Sequence, residues 1–200
     1  MRILMSALIF TSLVSVAACG DDGGGGNENE VITTLTLTVT PTGGGTAVTA
    51  GFDDPDGDGG AAPILTPLTL APGSYTATVR FLNKLADPPV EITNEVRDEG
   101  VEHLVFFTGT AVNGPASDHA GAPITHAYAD MDANGLPIGL SNTFVAVAGT
   151  GALTFTLRHM PPLNGTAVKT AGSAGEVKAG GIDSIGGSTD ATTTITATVQ

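Results

Sequence analysis

Three observations predict an all-β fold, an antiparallel β-sandwich of Ig-like kind with an internal duplication. Thr alternates with aliphatic residues in several short runs, clusters of Gly, Pro and Asn punctuate those runs, and two stretches of the chain resemble each other in order and spacing. Alternation at period two puts apolar groups on one strand face and Thr on the other, the pattern of a half-buried antiparallel strand. No run of twelve residues carries apolar groups at helical intervals.

In chain order, residues 1–18 read as a signal peptide. One cation, Arg2, precedes a Ser-interrupted apolar run from Ile3 to Ala18, which is too short for a stable membrane span. Val16-Ala17-Ala18-Cys19 resembles the lipobox of bacterial lipoproteins, so Cys19 is the expected lipidation site. Cys19 is also the only cysteine, which excludes an intramolecular disulfide and any C-x-x-C motif. Residues 19–30 form an acidic Gly-rich tether with no apolar side chain to bury, spanning about 20 Å r.m.s. as a flexible chain. With Gly20 instead of Asp after the lipidated position, the resemblance to lipoproteins implies the outer membrane, on its periplasmic or surface face.

Residues 31–200 are the folded body. The clearest strands are Leu35–Val39, Tyr75–Val79, Leu153–Leu157 and Ile195–Val199, where Thr and aliphatics alternate strictly or nearly so. Ala47–Phe52, Glu102–Gly109, Thr125–Ala129 and Thr143–Ala148 are further strands bounded by turn residues. His103 to Phe107 is apolar on both faces, which predicts a central strand.

The duplication pairs Phe52-Asp53-Asp54-Pro55-Asp56-Gly57-Asp58-Gly59 with Tyr128-Ala129-Asp130-Met131-Asp132-Ala133-Asn134-Gly135, each followed by Pro-Ile (Pro63-Ile64 and Pro137-Ile138). Thr76-Ala77-Thr78-Val79-Arg80 matches Thr154-Phe155-Thr156-Leu157-Arg158 further on. The repeats are placed at 31–110 and 111–200, either within one sandwich or as two packed halves.

The strongest chemical pattern is in the repeated loops. Asp54, Asp56 and Asp58 have D-x-D-x-D-G spacing, and Asp130, Asp132 and Asn134 have D-x-D-x-N-G spacing. Alternate oxygen side chains converge when such a loop curls, and hard oxygen ligands suit Ca2+. Leu65 and Ser141 stand where an EF-hand has its bidentate Glu, so the expectation is a weak, structural calcium loop of extracellular type. The same residues are also good turn formers.

The histidines are His103, His119, His126 and His159, and none has the spacing that sets two ligands on one helix face. His103 and His159 form an alternative metal pair, half of a Zn2+ or Cu2+ site, if their strands are neighbours. No G-x-S-x-G elbow or phosphate-cradling Gly loop is present, and no acid/base pair stands out, so no enzyme is expected. Seven basic against 20 acidic residues give a net charge of −13, which repels nucleic acid and attracts cations.

The lipobox, the acidic tether, the Phe-x-Asp-Pro-Asp-Gly-Asp-Gly-Gly loop, Asp132-Ala133-Asn134-Gly135-Leu136-Pro137-Ile138-Gly139-Leu140 and Leu157-Arg158-His159 together resemble a group of uncharacterised bacterial outer-membrane and surface lipoproteins. Some of these are labelled type 1 periplasmic binding domain-containing proteins. The resemblance implies company with an outer-membrane receptor or transporter, and the label implies two lobes of alternating strands and helices. The residues themselves point to a lipid-anchored, non-enzymatic binding or structural module stabilised by Ca2+. The alternative is an accessory metal- or solute-capture lipoprotein.

Overall fold

The computed structural model describes residues 30–57 and 59–200; residues 1–29, with the leader, Cys19 and most of the tether, lie outside the described residues, as does Asp58. The described body is mostly β, with 46% strand and 11% helix. Its elements are β1 (Thr34–Pro41), β2 (Val48–Asp53), β3 (Ile64–Thr66), β4 (Leu68–Leu70), β5 (Gly73–Asn83), β6 (Val90–Glu91), α1 (Ile92–Asp98), β7 (His103–Thr108), β8 (Val112–Asn113), β9 (Ile124–Tyr128), β10 (Ser141–Ala146), β11 (Gly149–His159), α2 (Ser173–Gly180) and β12 (Ser188–Val199). A single 3-10 turn, Ile182–Ser184, joins α2 to β12. No helix among the described residues is long and apolar enough to cross a membrane.

The strands form two sheets. The larger has the order β3-β2-β1-β5-β10-β9-β8, with β6 on the end of β5, and curls into a half-barrel; the smaller has the order β4-β12-β11-β7. Pairing is antiparallel except for β4 with β12 and β8 with β9, which are parallel. Of the two Thr-rich segments matched in the sequence, one lies on β5 in the larger sheet and the other on β11 in the smaller.

Alternation fixes which face each strand buries. Leu35, Leu37 and Val39 of β1 and Tyr75, Ala77, Val79 and Phe81 of β5 meet Leu153, Phe155 and Leu157 of β11 and Ile195, Ala197 and Val199 of β12 in one core. Each fully buried Leu, Ile or Phe contributes about 1.5–3 kcal/mol relative to exposure. On the opposite face, Thr154 and Thr194, and Thr156 and Thr192, sit in register and hydrogen-bond across the strands at 2.8 and 3.0 Å.

β7 is not central but ends the smaller sheet. Both of its faces are nevertheless covered. Val105 and Phe107 enter the main core, while Leu104 and Phe106 pack with Ala116, Met160, Val177 and Ile185 in a second cluster beneath α2. Its free edge is blunted by other means: Val105 N–H donates to Ile138 O at 2.8 Å, and Tyr128 O–H donates to Val105 O at 3.1 Å. A doubly apolar strand reports two covered faces, and a helix can supply the second as well as a sheet can.

Candidate metal centre

β7 and β11 pair so that Phe155 faces Phe107, Leu157 faces Val105, and His159 faces His103. The two histidines therefore continue the inward-facing row of core residues, and their rings stack with centroids 4.5 Å apart and planes 9° from parallel. The sequence requirement that these histidines lie on neighbouring strands is met by this register.

Two carboxylates join them. In the register of β12 against β11, Leu157 faces Ala191 and Arg158 faces Thr189, leaving Asp190 as the extra residue of a β-bulge. Strict alternation would put Asp190 on the opposite face from Ala191; the bulge turns both toward the same side. Asp190 Oδ2 comes within 3.7 Å of His103 Nε2, and both side chains are fully buried. Gly187 leads into this strand with φ +86°, where a Cβ would overlap the carbonyl of His159. The fourth group is Glu30, from the segment before β1, whose Oε1 lies 2.9 Å from His103 Nε2. One ligating atom from each of Glu30, His103, His159 and Asp190 lies within 4.8 Å of the other three. Tetrahedral Zn2+ with bonds of 2.0–2.1 Å would set its ligand atoms about 3.4 Å apart, so closure around such an ion needs side-chain movements of about 1 Å.

The outer contacts orient these rings. His103 Nδ1 lies 3.2 Å from Glu99 O, and His159 Nε2 lies 3.5 Å from Glu102 Oε2. A ligating histidine typically has its second nitrogen held by a carbonyl or carboxylate in this way. With Nδ1–H donating to Glu99, Nε2 of neutral His103 directs a lone pair toward carboxylate oxygens. The 2.9 Å approach of Glu30 is close, but it is out of line for a hydrogen bond, and Nε2 has no satisfactory partner. His159 Nδ1, Glu30 Oε2 and both oxygens of Asp190 are likewise buried without one. The Arg158 guanidinium donates its hydrogen bonds to Ile185 O, Gly186 O and Thr189 Oγ1, and its charge favours the charged form of Asp190 without outweighing burial and Glu30.

The electrostatics follow from this crowding. Burial and the negative charge of Glu30 push the Asp190 carboxyl well above the usual carboxylate range. Burial opposes the charge on Glu30, but His103 outweighs it and holds that carboxyl low. Burial also opposes a charged His103, and Glu30 outweighs it, raising the imidazole above its ordinary value. With an ion bound, two neutral imidazoles and two carboxylates would carry a net charge of −2, which one divalent ion cancels.

The acidic loops are built differently. Asp130 accepts main-chain hydrogen bonds from Gly139 through Oδ1 and from Leu140 and Ser141 through Oδ2, each 2.8 Å long. Asp132 Oδ1 accepts from the N–H groups of Asn134 and Leu136. Its Oδ2 pairs with Lys169 Nζ at 2.8 Å, with both side chains about 1% exposed, and Lys169 also donates to Gly100 O. Burial acts to raise Asp132, but Lys169 outweighs it and holds the carboxyl below its usual range. The cation at this loop is thus an ammonium from the chain itself, and Asn134 is exposed. In the first loop Asp56 Oδ2 accepts from Ala61 N–H, while the neighbouring Asp53 pairs with Lys84 at 2.6 Å; Asp54 sits after β2 with its N–H donating to Thr33 O. Among the described residues, three or more His, Asp or Glu side chains converge at the histidine cluster; Asp58, the third acid of the first loop, lies outside the described residues.

The sequence pointed to His103 and His159 but not to Glu30 or Asp190. Glu30 reads as the last residue of a tether, and parity along β12 places Asp190 on the outer face. The one available signal is that Asp190 interrupts a run of Thr and aliphatic residues. His126, also buried, serves the fold: its Nε2 meets Asn142 Oδ1 at 2.9 Å, and its ring packs on Phe107, Tyr128 and Phe144.

No known protein-family model, curated protein or solved structure matches this chain.

Proposed function

We propose that this protein is a lipid-anchored, non-enzymatic metal-capture module, held through Cys19 at the outer membrane, and that Glu30, His103, His159 and Asp190 take a borderline divalent ion of the Zn2+ or Cu2+ class. The observation that carries this reading is the set of buried, mutually facing ligand atoms without hydrogen-bond partners. Such groups are expensive in a core and are ordinarily satisfied. Imidazole favours Zn2+ or Cu2+ over Ca2+, and a closed site of four protein ligands suits retention rather than catalysis. The β body is read as an Ig-like sandwich scaffold whose strand ends present the ligands. The acidic surface raises the local concentration of cations, and an outer-membrane receptor or transporter is the natural recipient of the cargo.

Calorimetric titration of chelator-stripped full chain with Zn2+ tests the site. One ion per chain is expected, with binding lost in His103→Gln/His159→Gln. A wild-type chain that binds no Zn2+, or a double variant that binds it equally well, overturns the proposal.

A further inference from the structure

The four ligands do not come from equivalent places. His103, His159 and Asp190 stand on β7, β11 and β12, three neighbouring strands of the smaller sheet, whereas Glu30 belongs to the segment that leads into β1 of the larger sheet. We infer that the centre is a latch, in which a bound divalent ion clips residues 30–32 to the smaller sheet and its release frees them. This rests on the metal-capture reading above.

The fastening of the segment supports the inference. Thr33 is fixed independently: its N–H donates to Leu82 O at 2.9 Å, its hydroxyl accepts from Lys84 N–H at 2.8 Å, and its carbonyl accepts from Asp54 N–H at 2.8 Å. N-terminal to that point, Ile32 packs against the core, Val31 is half exposed, and Glu30 reaches the smaller sheet through its carboxylate. Without an ion, that carboxylate is held at the smaller sheet by its contact with His103, Oε1 lying 2.9 Å from Nε2, beside the second acid, Asp190; with one, it would share a cation with Asp190 and both imidazoles. Occupancy therefore strengthens the attachment that holds Glu30 in place. The three strand-borne ligands are positioned by sheet register alone and stay together when the fourth departs. Residue 30 is also where the acidic Gly-rich stretch of the sequence meets the body, and the released residues 30–32 would span up to about 10 Å, at roughly 3.3–3.6 Å per residue. By linkage, whatever pulls the N-terminal segment away would in turn weaken ion binding.

Hydrogen exchange of the full chain, in Zn2+ and in chelator, tests the latch, read at the amides of Val31 and Ile32 alongside Zn2+ affinity. The latch predicts that saturating Zn2+ slows exchange there about tenfold or more. Glu30→Gln should bind Zn2+ about tenfold or more weakly and lose that protection, while β7 and β11 exchange as in wild type. Wild-type binding with no change at residues 31 and 32, or equal affinity in Glu30→Gln, overturns the latch and leaves the metal site standing. Absence of Zn2+ binding to wild type overturns both.

Discussion

Two regions of this protein bury charge, and they do so in opposite ways. Around Asp130 and Asp132 all four carboxylate oxygens are satisfied: five main-chain N–H groups and the Lys169 ammonium converge on two carboxylates. Around His103 and His159 the ligand atoms face one another, and most have no hydrogen-bond partner. The first arrangement fixes a turn; the second leaves buried polar atoms unsatisfied, which is costly in a core. Acidic spacing draws attention to the first region, whereas the proposed metal site rests on the unsatisfied atoms of the second.

The largest expected effect breaks the satisfied region. Lys169→Met should lose about 3–5 kcal/mol of unfolding free energy in urea titration, because it strands a buried carboxylate. A loss below about 1 kcal/mol would place the pair in effective contact with water and weaken the contrast.

His126 sharpens the comparison as a buried imidazole serving packing. Burial lowers its pKa from 6.5 to about 4, with Asn142 acting in the opposite direction. The unfolded chain then binds the proton first, so stability should fall as pH drops from 6.5 toward 4, by on the order of 3 kcal/mol from this residue. Its contribution is the difference between wild-type and His126→Gln denaturation curves across that range; parallel curves would contradict it.

Somewhat smaller is the gain from filling the unsatisfied region. Zn2+ at a hundredfold excess over its Kd should add about 2.7 kcal/mol, a rise of several degrees in Tm for a chain of this size, while Ca2+ should add less. An equal rise in His103→Gln/His159→Gln would assign the effect to other groups.

The smallest effect has the opposite sign to the first. Asp190→Asn in chelator should raise stability by about 1 kcal/mol, since an amide keeps a donor and removes the titratable group buried beside Glu30, and it should abolish the Zn2+ shift. Destabilisation on the scale of Lys169→Met would show that the two buried regions are alike.

Alternation of Thr with aliphatics determined the longest strands, β1, β5, β11 and β12, and which face each buries, because side-chain direction along a strand is a local property with period two. The same locality exposed the four histidines and the acidic loops as chemistry-bearing residues. It did not reveal the short strands β3, β4, β6 and β8, whose two or three residues carry no readable period. Helix α2 escaped as well, since its stability comes from covering Leu104 and Phe106 and not from an amphipathic stripe.

Tertiary structure alone decided the rest. Pairing of β7 with β11 brings together two histidines 56 residues apart, as their numbers 103 and 159 give, and nothing in either strand names its partner. A bulge at Asp190 reverses the face that parity assigns it, and a residue of the apparent tether becomes a member of a buried cluster. Local spacing reports where a side chain points; what it meets depends on strand order and register, which are settled by the packing of the whole core.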